Sequence, residues 1–298
     1  MKILITGSTG LIGSALKTAL VAKGHQPVSA VRREPRRNDE VQWDPAAGTM
    51  SPDAFTGVDA VVHLAGAGIG DKRWSDSYRR EILESRTKGT ELLARTMSSL
   101  DAKPRVFLSG SAIGWYGDRG DEILDESSSL GEGFLADVCR QWESATASAE
   151  DAGIRTVHLR TGIVLSPKGG ALKKQLPLFK LGLGGRFGNG RQWQSWISIV
   201  DEVNAIVYLL DSSLSGAVNL TAPNPVTNAE FARVLGSVLS RPAIMPVPSF
   251  GPRLLLGSEL ADALLFTGQR VVPHKLVQDG FTFTHATLDA ALRSLLNR

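Results

Sequence analysis

Short apolar runs alternate with stretches of helical period through the first two thirds of the chain. That alternation is the signature of a parallel sheet with helices on its faces. The runs predict strands at Lys2–Thr6, Pro27–Arg32, Glu40–Trp43, Ala60–Leu64, Arg105–Ser109, Thr156–Arg160 and Ala217–Leu220. Between the first two, Leu11–Ala22 places Ile12, Ala15, Leu16, Ala19 and Leu20 on one stripe, and Gly24 closes the helix. Further helices are expected at Asp76–Ser99, Phe134–Asp151, Val200–Leu210 and Thr227–Leu239. In the last third Pro242, Pro246, Pro248 and Pro252 break this rhythm, and helical segments follow near Glu259–Phe266 and Thr287–Leu296. The pattern predicts an α/β fold: a doubly wound parallel sheet (residues 1–165 plus about 190–222) with a smaller mixed C-terminal domain (about 166–190 plus 223–298).

Composition narrows the class. The 298 residues are 42% hydrophobic and 21% charged, which excludes a disordered chain. Cys139 is the one cysteine, so an intramolecular disulfide and a multi-thiolate zinc site are excluded, in keeping with a reducing cytoplasm. The five histidines (25, 63, 158, 274 and 285) lack metal-ligand spacing, and no metal is expected. The longest apolar run, Ala205–Leu210, is far short of the roughly 20 residues of a membrane span. The apolar start is interrupted by glycines at 7, 10 and 13 and reads as a buried strand rather than a signal peptide, so no membrane partner is expected. A net charge of 33 − 30 = +3 is a weak field, and no nucleic-acid partner is expected.

The candidate chemistry starts at Gly7-Ser-Thr-Gly10-Leu-Ile-Gly13, which follows a strand and opens an amphipathic helix. The first glycine permits a tight turn, the second lets a pyrophosphate approach, and the third lets helix pack on strand. The helix N-terminus, through Leu11 and Ile12, then favours the anion. The second strand ends Val31-Arg32-Arg33, where an NAD-selecting protein usually carries a carboxylate for the ribose 2′-OH. A guanidinium at that place holds a 2′-phosphate, which points to NADP(H). Glu34 follows both arginines and precedes a proline, and is read as turning away; Arg36 and Arg37 fit a solvated basic loop.

These features, with His63-Leu64-Ala65-Gly66, Leu108–Gly117, Leu159–Leu165 and Trp196–Glu202, resemble the extended short-chain dehydrogenase/reductase superfamily. Lys72-Arg73-Trp74, Glu84–Thr87, Val41–Pro45, Phe134–Glu143 and Gly268–Pro273 more narrowly resemble its atypical epimerase/dehydratase branch, which also carries a cell-division-inhibitor label. The resemblance implies that Leu64, Ala65 and Gly66 line the adenosine side and that Ile163 and Val164 approach the nicotinamide. It also counts Ser109 with the cofactor contacts, and puts Ser111 where the superfamily has its catalytic Ser/Thr. Arg86 stands where relatives often have asparagine; it either reaches the cofactor or pairs with an acid such as Glu81, itself counted as a cofactor-side position.

The chain departs from the superfamily at its acid/base pair. No Tyr-x-x-x-Lys occurs: four residues beyond Tyr78, Tyr116 and Tyr208 stand Ile82, Gly120 and Ser212. Aligned on Glu143, the expected Tyr and Lys fall at Leu135 and Cys139, which cannot perform that proton transfer. Tyr116 is the remaining phenol near Ser111, although an unaided phenol with pKa near 10 is a poor base. Lys173–Arg191 contains five glycines with Arg186 and Arg191; the resemblance implies that it borders the substrate cleft and meets a phosphorylated or nucleotide-linked small molecule, the alternative being a flexible surface loop. Trp193 and Trp196 either stack on a ring or fill the domain seam. Two readings follow: an NADP(H)-dependent epimerase/dehydratase-like oxidoreductase with a non-standard proton donor, or a non-catalytic NADP(H)-binding redox sensor or partner-binding protein. The resemblance also implies a homodimer through the helix pair Asp76–Ser99 and Phe134–Asp151, against which stand the charged residues that interrupt both helices.

Overall fold

The computed structural model describes residues 1–298. Its strands are β1 (Lys2–Thr6), β2 (Gln26–Val31), β3 (Glu40–Asp44), β4 (Thr49–Met50), β5 (Ala60–His63), β6 (Val106–Ala112) and β7 (Ile123–Leu124). They continue with β8 (Arg155–Thr161), β9 (Ile163–Leu165), β10 (Trp193–Gln194), β11 (Trp196–Ser198), β12 (Gly216–Leu220), β13 (Val226–Thr227) and β14 (Arg270–Val271). The helices are α1 (Leu11–Ala22), α2 (Asp76–Ser98), α3 (Phe134–Ser144), α4 (Ala147–Asp151), α5 (Gly170–Lys180) and α6 (Ile199–Asp211). After them come α7 (Asn228–Leu239), α8 (Phe250–Leu256), α9 (Ser258–Ala261), α10 (His274–Gln278) and α11 (Leu288–Leu296).

Eight strands form one sheet in the order β12-β8-β6-β5-β1-β2-β3-β4, parallel except for the β3–β4 hairpin. From β1 the chain moves outward to β2 and β3, then crosses back to β5, so the strand order reverses between β1 and β5. A crevice opens at the carboxyl ends of strands at such a reversal. Side-chain alternation divides the core between the two faces. Ile3 and Ile5 pack with Leu16 and Leu20 of α1 and Ile206 and Leu209 of α6 on one face. Leu4 points the other way, among Leu92, Leu93 and Met97 of α2.

Local chemistry sets the ends of these elements. Gly24 (φ +77°) ends α1, with His25 N bonded to Leu20 O and Gly24 N to Val21 O. Ser75, Ser198 and Thr227 cap α2, α6 and α7 by accepting from Tyr78 N, Asp201 N and Glu230 N. A second core of Leu172, Leu176, Phe179, Trp196, Phe231, Leu235 and Leu292 joins α5, α7 and α11. The tail also returns to the first core: Leu276 of α10 is buried there, and Phe281 and Phe283 pack against it. The buried Asp201 carboxylate fixes that return by accepting Thr284 N at 2.7 Å and His285 N at 2.9 Å.

Three expectations are corrected. The single helix over Phe134–Asp151 is two helices, because buried Thr146 turns its hydroxyl onto Glu143 O at 2.7 Å between α3 and α4. Sheet residues run to Ala112 in β6 rather than Ser109, which brings Ser111 opposite Arg160 of β8. The Lys173–Arg191 stretch is not one open loop: α5 occupies its first half, with Pro177 inside the helix.

Glu202 in the first turn of α6 is fully buried; Oε1 accepts from Thr161 Oγ1 at 3.0 Å and Oε2 has no partner. Burial pushes its carboxyl up from 4.5 to about 8, so the folded protein holds a proton that the unfolded chain releases above about 4.5. The associated stability is complete below about pH 4.5 and is lost as pH rises to about 8, a total of a few kcal/mol by linkage. Glu202→Gln is expected to match wild type in thermal melts at pH 4.5 and to melt higher at pH 8. Parallel pH profiles for the two proteins would contradict this.

Candidate functional site

The crevice between β1 and β5 begins with three glycines, each constrained differently. Gly7 has φ +66°, and a Cβ there would come 2.7 Å from the Leu64 carbonyl carbon. A Cβ on Gly13 would overlap Gly7 O, so α1 packs this closely on β1 only with glycine at that position. On Gly10 a Cβ would meet only Gly7 O, at 3.2 Å, which leaves its outer side open. The N–H groups of Leu11, Ile12 and Gly13 have no carbonyl partner. No side chain caps α1 and no acid stands in its first turn. Unsatisfied N–H groups at a helix N-terminus with an open approach form an anion cradle.

Thr6 and His63 make the floor of that cradle. Thr6 Oγ1 accepts from Leu64 N at 3.2 Å and Ala65 N at 3.3 Å, so its own proton is directed to His63 Nδ1, 2.6 Å away. Burial drives the His63 pKa down to about 3, which keeps the ring neutral. The next loop is held from α2 and the segment before it. Ala67 N donates to Ser85 Oγ, Tyr78 OH donates to Gly68 O, and Trp74 Nε1 donates to Ile69 O. Arg86 lies behind Gly66 and donates to Ala67 O at 3.0 Å, with its guanidinium 5.0 Å from the Trp142 ring. Glu81 is exposed and faces Lys72 at 3.4 Å, so the Arg86–Glu81 pair does not form.

At the end of β2, half-buried Val31 leads to two arginines with different circumstances. Arg33 closes bidentately on Glu40, at 2.8 Å for each bond, and that guanidinium holds the Glu40 carboxyl down to about 2. Arg37 pairs with Asp39. Arg32 is exposed and forms no ion pair. Of the two arginines expected to meet a 2′-phosphate, Arg32 is therefore the one with an uncommitted fork. Ile163 and Val164 lie half-buried on β9, paired with β11, while Ser109 is fully buried and its Oγ has no partner.

Ser111 and Tyr116 belong to one buried polar network. Ser111 Oγ donates to Glu143 Oε1 at 2.7 Å, so a carboxylate does stand beside the serine. That carboxylate is shared with Arg160, whose Nε and Nη2 donate to its two oxygens at 2.8 and 2.9 Å. Arg160 Nη1 donates to Tyr116 OH at 3.1 Å, and the phenol donates to Asn219 Oδ1 at 2.7 Å. The guanidinium also lies 3.9 Å from the centre of the Trp115 ring. Tyr116 is completely buried, which pushes its pKa up to about 12, so as a base it is corrected to a hydrogen-bonded core group. Cys139 is buried against Ala112 O, and desolvation raises its thiol to about 12, a packing role.

Glu143, Arg160 and Asn219 were not anticipated as site residues. A sequence signal did exist: Leu135, Cys139 and Glu143 recur every fourth residue and share one face of α3. The substrate side also differs from expectation. Gly184 and Gly185 make room for the Phe179 ring and the Met245 backbone, not for a ligand. Trp196 is buried in the second core, and Trp193 Nε1 donates to Asp121 with Arg270 over its ring. A surface cleft of about 720 Å³ between the β3–β4 hairpin and α2, lined by Trp43, Asp44 and Arg95 among others, contains no glycine-loop residue. The site is therefore placed by the strand ends.

Residues 3–220 match the model of the NAD dependent epimerase/dehydratase family, and residues 247–295 match a domain of unknown function, DUF1731. The epimerase family protein Mb2239 of Mycobacterium bovis is 46% identical over 97% of this chain and 96% of its own length. Bacillus subtilis YfhF, another epimerase family protein, is 35% identical over 99% of this chain and 98% of its own. The crystal structure of human epimerase family protein SDR39U1 with NADPH superposes with a TM-score of 0.91 at 33% identity, covering 100% of both chains.

Removing the Glu143 carboxylate leaves a buried guanidinium unanswered. Glu143→Ala is expected to lose about 3–5 kcal/mol of stability, and Ser111→Ala only about 1 kcal/mol. Urea unfolding of both variants checks this. A Glu143→Ala loss as small as that of Ser111→Ala would mean that the pair does not hold the strand ends.

Proposed function

The chain belongs to the NAD dependent epimerase/dehydratase family, and from that premise we propose that it binds NADP(H) in the β1–β5 crevice and performs an epimerase/dehydratase-like oxidoreduction on a small polar metabolite. The observation that carries the cofactor choice is Arg32, exposed and unpaired at the end of β2 beside the open glycine cradle. The human relative was solved with NADPH, which supports the same choice. NADP(H), when bound, supplies a hydride donor or acceptor.

The chain's own residues divide the remaining work. Gly7, Gly10 and the N–H groups of residues 11–13 take the pyrophosphate, and Arg32 takes the 2′-phosphate. Ser111, at the carboxyl end of β6, turns its proton toward Glu143 and keeps its oxygen lone pairs available to a substrate hydroxyl. Glu143 is then the group that receives a proton passed through Ser111, and Arg160 positions it by donating to both of its oxygens. A second reading, a non-catalytic NADP(H)-binding protein, is favoured by the burial of the Tyr116 hydroxyl and by Leu135 and Cys139.

Titration with NADPH and NADH tests the proposal. Wild type is expected to bind NADPH more tightly, and Arg32→Ala to lose at least about tenfold of that preference, the scale of a charge-assisted contact. Arg33→Ala is expected to lose less, because Glu40 already holds that side chain. Equal binding of both cofactors by wild type would sink the arginine argument. If Ser111→Ala kept NADPH binding and lost its oxidation across a panel of carbonyl compounds, the enzyme reading would stand. If wild type oxidised no NADPH with any of them, the second reading would replace it.

A further inference from the structure

The C-terminal part of the structure leaves an unusual amount of apolar surface open. Leu178, Leu181 and Leu183 at the end of α5, Ile244 and Met245, and Phe250, Leu254 and Leu255 of α8 are all exposed, Ile244 at 82% and Leu254 at 78%. No residue of α8 is buried. These segments adjoin: a Cβ on Gly182 would touch Pro242, Arg241 donates to Lys180 O, and Phe187 pairs with Val247 just before α8. Contiguous apolar surface of this kind marks an interaction site.

The charge of the same region is one-sided. No Asp or Glu occurs between Asp151 and Asp201, or between Glu230 and Glu259. Within these stretches Lys168, Lys173, Lys174, Lys180, Arg186, Arg191, Arg241 and Arg253 are all exposed. Arg233 of the second stretch, also exposed, pairs with Glu230, and Arg253 pairs with Asp262; the others have no acidic partner. A modest overall charge of +3 therefore conceals two exposed stretches in which basic residues meet few acids.

We infer that this face docks peripherally on an anionic lipid bilayer, with the aliphatic side chains entering the headgroup–acyl boundary and the lysines and arginines meeting lipid phosphates. A second copy of the chain is the weaker partner, since a two-fold dimer would press the basic surface against itself with few acids to answer it. Lysine is also depleted from protein–protein interfaces, whereas apolar side chains bordered by lysine and arginine suit an anionic membrane surface. No helix is long and apolar enough to cross a membrane, and peripheral docking needs none.

Co-sedimentation with phosphatidylcholine vesicles, with and without phosphatidylglycerol, tests the inference on the full chain. Wild type is expected to sediment with the anionic vesicles only and to be released by salt. Lys173→Glu/Lys174→Glu is expected to bind at least about tenfold more weakly, from roughly 1 kcal/mol per basic residue near the surface. Phe250→Ser/Leu254→Ser/Leu255→Ser should also lose binding, and both variants should keep wild-type melting profiles because the altered side chains are exposed. No sedimentation with either vesicle, or equal sedimentation with both, would overturn the inference. So would a dimer in light scattering that the apolar triple variant dissolves, which would give the face to a second copy.

Discussion

A guanidinium buried at the end of β8 must have its charge answered, and the arrangement at the carboxyl ends of the strands follows from that requirement. Arg160 cannot reach water, so α3 has to dock where Glu143 can meet it. The Trp115 ring lies close to the guanidinium, and Tyr116 and Asn219 extend the hydrogen bonds. One ion pair thus joins β6, α3, β8 and β12. It also decides what those polar groups can still do: the tyrosine has no free hydroxyl, while the serine keeps its lone pairs.

Much of the fold was legible because the relevant forces are local. Short apolar runs placed the seven main strands, and α1 was bounded correctly by a glycine turn on one side and Gly24 on the other. What escaped was long-range or compensated. The periodicity of α3 continues into α4, so nothing in the pattern marks the break at Thr146; its cause is a hydroxyl bonding back to Glu143 O. The glycines after residue 181 drew the whole Lys173–Arg191 stretch into a loop reading, whereas its first half is a helix secured by burying Leu172, Leu176 and Phe179.

The site was legible to a similar degree and for similar reasons. The glycine loop is written in consecutive residues, and each glycine's need can be traced to a named backbone atom. Pairings such as Arg33–Glu40 and Glu143–Arg160 join residues whose proximity depends on strand register and helix docking. Arg32 and Arg33 are alike in sequence, yet Glu40 at the start of β3 distinguishes them.

Leu135, Cys139 and Glu143 divide packing from polar chemistry along one face of α3. The first two pack against Gly114, whose Cβ would touch Leu135 Cβ at 3.4 Å and Cys139 Sγ at 3.6 Å. Cys139 also lies against Ala112 O, so both positions serve packing beside the turn at residues 113–116. The third position of the stripe lies one turn on, past that turn, and there a carboxylate finds both a hydroxyl and a guanidinium. The helix therefore keeps a polar group aimed at the end of β6 while Leu135 and Cys139 serve packing. Ser111 therefore donates to a carboxylate both of whose oxygens Arg160 already engages.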